Sequence, residues 1–108
     1  MCLIGSDEHV VKSYGGPQGS SSQQMNEPAH LAVDRNGFVF VVDLNNYRVL
    51  LLSPALTHVR EVVSREQLKR NNCPWRLFLD DGRRRLYVAD NEWNDGIFTA
   101  GRVVVFSV

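Results

Sequence analysis

The stretch Asn26-Glu27-Pro28-Ala29-His30-Leu31-Ala32-Val33-Asp34 returns 46 residues later as Asn72-Cys73-Pro74-Trp75-Arg76-Leu77-Phe78-Leu79-Asp80. Each copy runs on into a Gly turn, Arg35-Asn36-Gly37 in one and Asp81-Gly82 in the other. An apolar run closed by Asp follows, Phe38-Val39-Phe40-Val41-Val42-Asp43 and then Leu86-Tyr87-Val88-Ala89-Asp90. The last shared block is led by Arg, Arg48-Val49-Leu50-Leu51-Leu52-Ser53 against Arg102-Val103-Val104-Val105-Phe106-Ser107. Matched blocks in one order are an internal repeat, and a unit recurring every 20 to 50 residues marks a solenoid or a propeller. Short blocks rich in Val, Leu and Phe, bounded by Gly, Pro, Asn or Asp, are short strands joined by tight turns. The runs 38–42 and 48–52 are nearly unbroken instead of alternating, so both faces of those strands are expected to be covered.

The repeat predicts an all-β chain: two antiparallel blades of the four-stranded type, in an incomplete ring. The first unit, 17–63, has strands at about 29–34, 38–43, 47–53 and 57–63. The second, 64–108, has strands at about 75–80, 85–90 and 102–108 and lacks its outer strand. The most polar strand, 57–63, suits an outer edge, which charged side chains protect. The leading segment, 1–16, carries at 9–14 an outer strand of a preceding blade. The linker 16–24 is a flexible loop by composition, whereas Ser64 with Gln67 three positions on can cap one helical turn in the linker 64–72.

Composition narrows the function classes. Twelve Lys plus Arg balance twelve Asp plus Glu, so the overall charge exerts no pull toward nucleic acid or an anionic membrane. Cys2 and Cys73 form neither a disulfide framework nor a metal-ligand spacing, which favours a reducing compartment. No segment approaches the roughly 18 apolar residues of a membrane helix, and no basic leader precedes an apolar run. The cytoplasm is the expected location, and the extracellular space if a signal peptide has been lost.

The blocks carry a family resemblance. Pro28-x-x-Leu31-Ala32-Val33-Asp34, the Gly turn, Val39-x-Val41-Val42-Asp43 and Asn45-Asn46-Tyr47-Arg48-Val49 resemble the NHL repeat, with Tyr47 where that repeat usually has His. The resemblance is strong over 26–53 and clear over 72–108. The second copy departs from it by one extra residue before Asp90 and seven between Asp90 and Arg102. It implies a six-bladed propeller of about three times this length, and hence a fragment of a tripartite-motif-like protein. The family's functions make three expectations: a protein-binding platform that recruits substrate for a ubiquitin ligase, an RNA-binding regulator, or a channel-centred lyase or hydrolase.

The first is preferred, and the chain itself is expected to be no enzyme, since no nucleophile, base and orienting group stand together. No cofactor is expected, and scattered His9, His30 and His58 argue against a metal site. Partners are a protein or, alternatively, RNA, together with other blades of a parent chain or other copies of this one; a membrane is not among them. Asp43 with Arg48 and Asp90 with Arg102 recur once per unit, which makes them structural turn pairs. Arg83-Arg84-Arg85 is either a solvated hairpin or a phosphate grip. The unrepeated stretch 91–101 reads as an expanded loop presenting Trp93 and Phe98, with Trp75, Lys69 and Arg70 on the same face. Exposed aromatic residues on a rigid scaffold are binding anchors; the alternative is that these side chains cover the blade edge.

Overall fold

A computed structural model describes residues 2–4, 10–16, 18–20, 24–68 and 72–108, with backbone only at 2–4, 10–13 and 99. The chain is mostly β-strand, arranged as three antiparallel sheets. β1 (Cys2–Ile4) and β2 (Val10–Ser13) form a hairpin. β3 (Pro28–Val33), β4 (Val39–Asp43), β5 (Arg48–Leu52) and β6 (His58–Val63) form a four-stranded meander in chain order. After a helical turn, α1 (Arg65–Leu68), come β7 (Asn72–Asp80), β8 (Arg85–Asn94) and β9 (Ile97–Ser107), a three-stranded meander. The four- and three-stranded sheets pack on each other, and the described residues form no closed ring.

The repeat is visible in the pairing itself. Asp43 stands opposite Arg48 and Val42 opposite Val49, as Asp90 stands opposite Arg102 and Ala89 opposite Val103. Both first strands bulge at the same place, between Pro28 and His30 and between Pro74 and Arg76, where proline has no N–H to give to a ladder. β1 and β2 belong to the same pattern. Ile4 pairs with Val10, Leu3 with Lys12 and Cys2 with Ser13, the sequence separations found for Leu52 with His58, Leu51 with Arg60 and Leu50 with Glu61. The hairpin is thus the counterpart of β5 and β6. Within the stretch 9–14 the strand β2 covers Val10–Ser13, and its partner β1 has no signal in the sequence.

The first turns differ in a way the glycines do not announce. In the four-stranded sheet Gly37 takes the left-handed conformation (φ 86°), while Asp34 Oδ1 accepts the amides of Asn36 and Phe38, both at 2.9 Å. In the three-stranded sheet that conformation falls to Arg84 (φ 52°) and not to Gly82. The turn is one residue longer there, which moves the left-handed position past the glycine. Ser64 and Gln67 form the expected reciprocal cap, Gln67 N donating to Ser64 Oγ at 3.2 Å and Ser64 N to Gln67 Oε1 at 2.8 Å.

All five residues of β4 and all five of β5 are buried, as their unbroken apolar runs require. Phe40, Val42, Val49 and Leu51 point toward the three-stranded sheet and pack with Leu77, Leu86 and Val88, with Val63 and Leu68 closing the core from the connecting segment. Val39, Val41, Leu50 and Leu52 point the other way and are covered by Tyr14 and Met25. Each such side chain contributes about 1.5–3 kcal/mol on full burial. Polar links stitch the two sheets at their first strands and turns: Leu77 N donates to His30 Nδ1 at 3.1 Å, Arg35 N to Asp81 Oδ2 at 2.7 Å and Arg84 Nη1 to Asp34 Oδ2 at 3.2 Å.

Two boundaries are corrected. β7 begins at Asn72, three residues before the expected start. The stretch 91–101 is no loop: β8 and β9 continue through it as a ladder pairing Asn91 with Gly101, Glu92 with Ala100 and Trp93 with Phe98. The hairpin closes on Asp95 and Gly96, both left-handed (φ 49° and 85°), the pair of conformations a type I′ turn needs.

Candidate functional site

The Asp–Arg pairs are the scaffold on which the site rests. Asp43, fully buried, accepts Arg48 Nε at 2.8 Å, Asn46 Nδ2 at 2.8 Å and the Asn26 amide at 2.7 Å. Arg48 also donates to the carbonyls of Ser20 and Gln24, at 2.9 and 2.7 Å. One ion pair thereby fixes the linker, the β4–β5 connection and the start of β5. In the second unit Arg102 Nε lies 3.1 and 3.0 Å from the two oxygens of Asp90, and its Nη2 donates to the Leu68 carbonyl at 2.6 Å. Both pairs hold linkers, Arg48 through the carbonyls of Ser20 and Gln24 and Arg102 through that of Leu68.

Above these pairs a cleft of about 310 Å³ opens between the two sheets, lined by Leu44, Asn45, Tyr47, Cys73, Trp93 and Phe98. The 3₁₀ turn Leu44–Asn46 delivers the first wall and ends at Tyr47, whose left-handed backbone (φ 55°) turns the chain into β5. The Arg65 guanidinium lies 4.3 Å above the Tyr47 ring, a cation–π contact that holds the ring in place. The extended hairpin delivers the opposite wall. Trp93 and Phe98 are cross-strand partners with ring centroids 4.9 Å apart at 67°, the edge-to-face arrangement aromatic pairs prefer. Even so, Trp93 is 41% and Phe98 56% exposed, and neighbouring Ile97 is 62% exposed.

The floor is Cys73, whose thiol donates to the Leu44 carbonyl at 3.4 Å. Burial pushes this thiol's pKa up, and the carboxylates of Glu27 and Asp90 push the same way. It is therefore a protonated packing group and a poor nucleophile. Asn45 supplies the polar rim, its Nδ2 donating to Glu27 Oε2 at 3.2 Å. Apolar walls with a polar edge and no activated nucleophile fit an apolar side chain presented on a backbone, which is how peptide and protein partners are held.

Of the expected binding residues, the structure brings Trp93 and Phe98 together in this cleft. Trp75 is not in its lining and stands on β7 with the Arg76 guanidinium 5.3 Å from its ring. Lys69 and Arg70 lie outside the described residues, as does His9. Leu44, Asn45, Tyr47 and Cys73 were not singled out as site residues, although Tyr47 was marked by standing at the usual His position.

The arginine run is compensated. Arg84 pairs with Asp81 at 2.8 Å and with Asp34, Arg83 with Asp80 at 3.5 Å, and Arg85 Nη1 donates to Ser107 Oγ at 3.1 Å. Three carboxylates, Asp34, Asp80 and Asp81, thus lie among four guanidinium groups, Arg35 included, and weaken the positive field offered to a phosphate backbone. His30 Nδ1 accepts the Leu77 amide, and among the described residues no three His, Cys, Asp or Glu side chains group as metal ligands. No helix among them is long and apolar enough to cross a membrane. No protein-family model matches the chain, and no curated protein matches it.

Proposed function

We propose that this chain is part of a propeller of NHL-type repeats and serves as a non-catalytic docking platform for a protein partner in the cytosol, recruiting substrate within a tripartite-motif ubiquitin-ligase-like protein. The cleft walled by Tyr47 on one side and the Trp93–Phe98 pair on the other carries the reading. It is the place where the repeat is broken, where residues from both units meet, and where large apolar side chains face solvent. Repeated polar residues are occupied in holding the sheets, so the unrepeated hairpin is what distinguishes this surface from a generic one.

A peptide-display selection on the purified chain tests it. Selected peptides are expected to carry an aromatic or large aliphatic anchor, and Trp93→Ala is expected to weaken them at least tenfold, about 1.4 kcal/mol, without lowering the melting temperature. Binding indifferent to Trp93, or loss of folding in the variant, contradicts the platform. Tight binding of single-stranded RNA with a steep salt dependence, unaffected by Trp93→Ala, would replace it with the RNA-binding alternative.

A further inference from the structure

The core between the sheets has two halves. One half, Phe40, Val42, Val49 and Leu51, comes from β4 and β5; the other, Leu77, Leu86 and Val88, from β7 and β8. The repeat gives every position a counterpart through the shared pairing. Phe40 opposite Leu51 corresponds to Tyr87 opposite Val105, and Val49 to Val103. Leu31 opposite Val41 corresponds to Leu77 opposite Val88.

The counterparts of the first half therefore lie on the far face of the three-stranded sheet, where Phe78 is 67%, Val103 64% and Val105 48% exposed. The counterparts of the second half lie on the far face of the four-stranded sheet. There Tyr14 and Met25 cover Val39, Val41, Leu50 and Leu52, while Leu31 and Val33 are left 46% and 55% exposed. The molecule holds one complete core, the exposed Phe78–Val103–Val105 half of another, and, at Leu31 and Val33, the uncovered edge of the face that would match it.

From this we infer that the chain associates head to tail with a second copy, the Phe78–Val103–Val105 face of one seated on the Leu31–Val33 face of the next. The contact continues an interface the molecule already makes within itself. Sizes agree as well. Where Ala32 packs inside the chain, its counterpart Phe78 would come opposite Leu31, beside a groove of about 500 Å³ lined by Pro28, Ala29, His30, Leu31 and Val41.

The strand edges follow the same logic. β1 and β9 are both counterparts of β5, so in the docked pair β9, paired among the described residues with β8 alone, takes the neighbour's β2 in place of the three-residue β1. An exposed apolar face beside an unpaired edge is what soluble monomers avoid. Because the contact is heterologous it propagates until a ring closes. This inference is independent of the docking cleft.

Sedimentation velocity over a wide concentration range tests it. The chain is expected to run above its single-chain mass of 12.2 kDa, as discrete multiples; a 12.2 kDa species at every concentration overturns the inference. Phe78→Asp spoils one face and Leu31→Asp the other, both at exposed positions whose folding circular dichroism can verify. Each variant alone is expected to be a single chain, and an equimolar mixture to give a heterodimer that grows no further. A mixture that stays monomeric overturns the pairing of faces, as does an aggregate of no defined mass that neither substitution dissolves.

Discussion

The two units carry the same Asp–Arg pair and enclose it differently. In the four-stranded sheet Arg48 follows Asp43 by five positions, the connection is a tight 3₁₀ turn, and the arginine side chain is 10% exposed. In the three-stranded sheet Arg102 follows Asp90 by twelve positions, the strands run on past the pair into a hairpin, and the arginine side chain is 35% exposed. The pairing register is the same at both. One geometry thus serves a closed structural joint in one unit and the base of a projecting arm in the other. The difference lies in what is inserted after the pair and not in the pair.

The widest gap between the units should appear when each carboxylate is removed. Asp43→Ala strips three donors of their acceptor inside the protein and leaves Arg48 without its buried partner, at a cost of about 3–5 kcal/mol. After Asp90→Ala the more exposed Arg102 is partly hydrated, its side chain 35% exposed against 10% for Arg48, while each arginine keeps its linker carbonyls, at a cost of about 1–3 kcal/mol. Urea denaturation of both variants measures the gap. Equal losses would mean that enclosure by the linker carbonyls of Ser20 and Gln24 adds nothing, and the comparison would fail.

The hairpin arm is broken next, at its tip. Gly96 sits at φ 85° with open space around the position of a Cβ, so Gly96→Ala introduces strain and no clash, a cost of about 1 kcal/mol. The four-stranded sheet offers the matching control, because Tyr47 already bears a side chain at φ 55° and Tyr47→Gly relieves that strain while removing the ring. Gly96→Ala is expected to raise amide hydrogen exchange in 91–101 and to weaken peptides selected on the cleft, leaving exchange in β4 and β5 as it was. Unchanged exchange in the arm would show that its turn does not hold the Trp93–Phe98 wall.

The same contrast explains what could be read from the sequence. Strands 38–43, 47–53 and 57–63 were legible to within about a residue, because an unbroken apolar run bounded by turn residues leaves little choice once both faces are buried. The arm reads as a loop in the sequence. Its apolar residues are few and surrounded by Asn, Asp and Gly, and its β-structure comes from extending a ladder already begun at Asp90 and Arg102. The signal present was Asp95-Gly96, a dipeptide that favours the hairpin turn. β1, three residues long, gave no pattern at all. Trp93 and Phe98 were legible as a candidate site because large apolar groups outside the repeat stand out. Leu44, Asn45 and Cys73 were not, since they reach the cleft only through the packing of one sheet on the other.

The smallest expected effect is in the alkaline limb of stability, where Tyr14, packed on the four-stranded sheet, and Cys73, in the three-stranded one, each contribute a weak acid. Burial raises the pKa of Cys73, with Glu27 and Asp90 adding to the shift. Burial raises that of Tyr14 too, where Arg48 opposes and Asp43 adds. A group whose pKa is higher folded than unfolded holds its proton more tightly in the native state, so its contribution is complete below the unfolded value and is lost as pH rises through the folded one. For the thiol that loss begins above pH 9.0 and for the phenol above pH 10.0. Thermal unfolding followed against pH should therefore decline in two stages. Cys73→Ala is expected to flatten the first stage and Tyr14→Phe the second, each leaving the other intact. If Cys73→Ala erases both, the two acids do not report separately on the two sheets, which then respond to alkali as a single body.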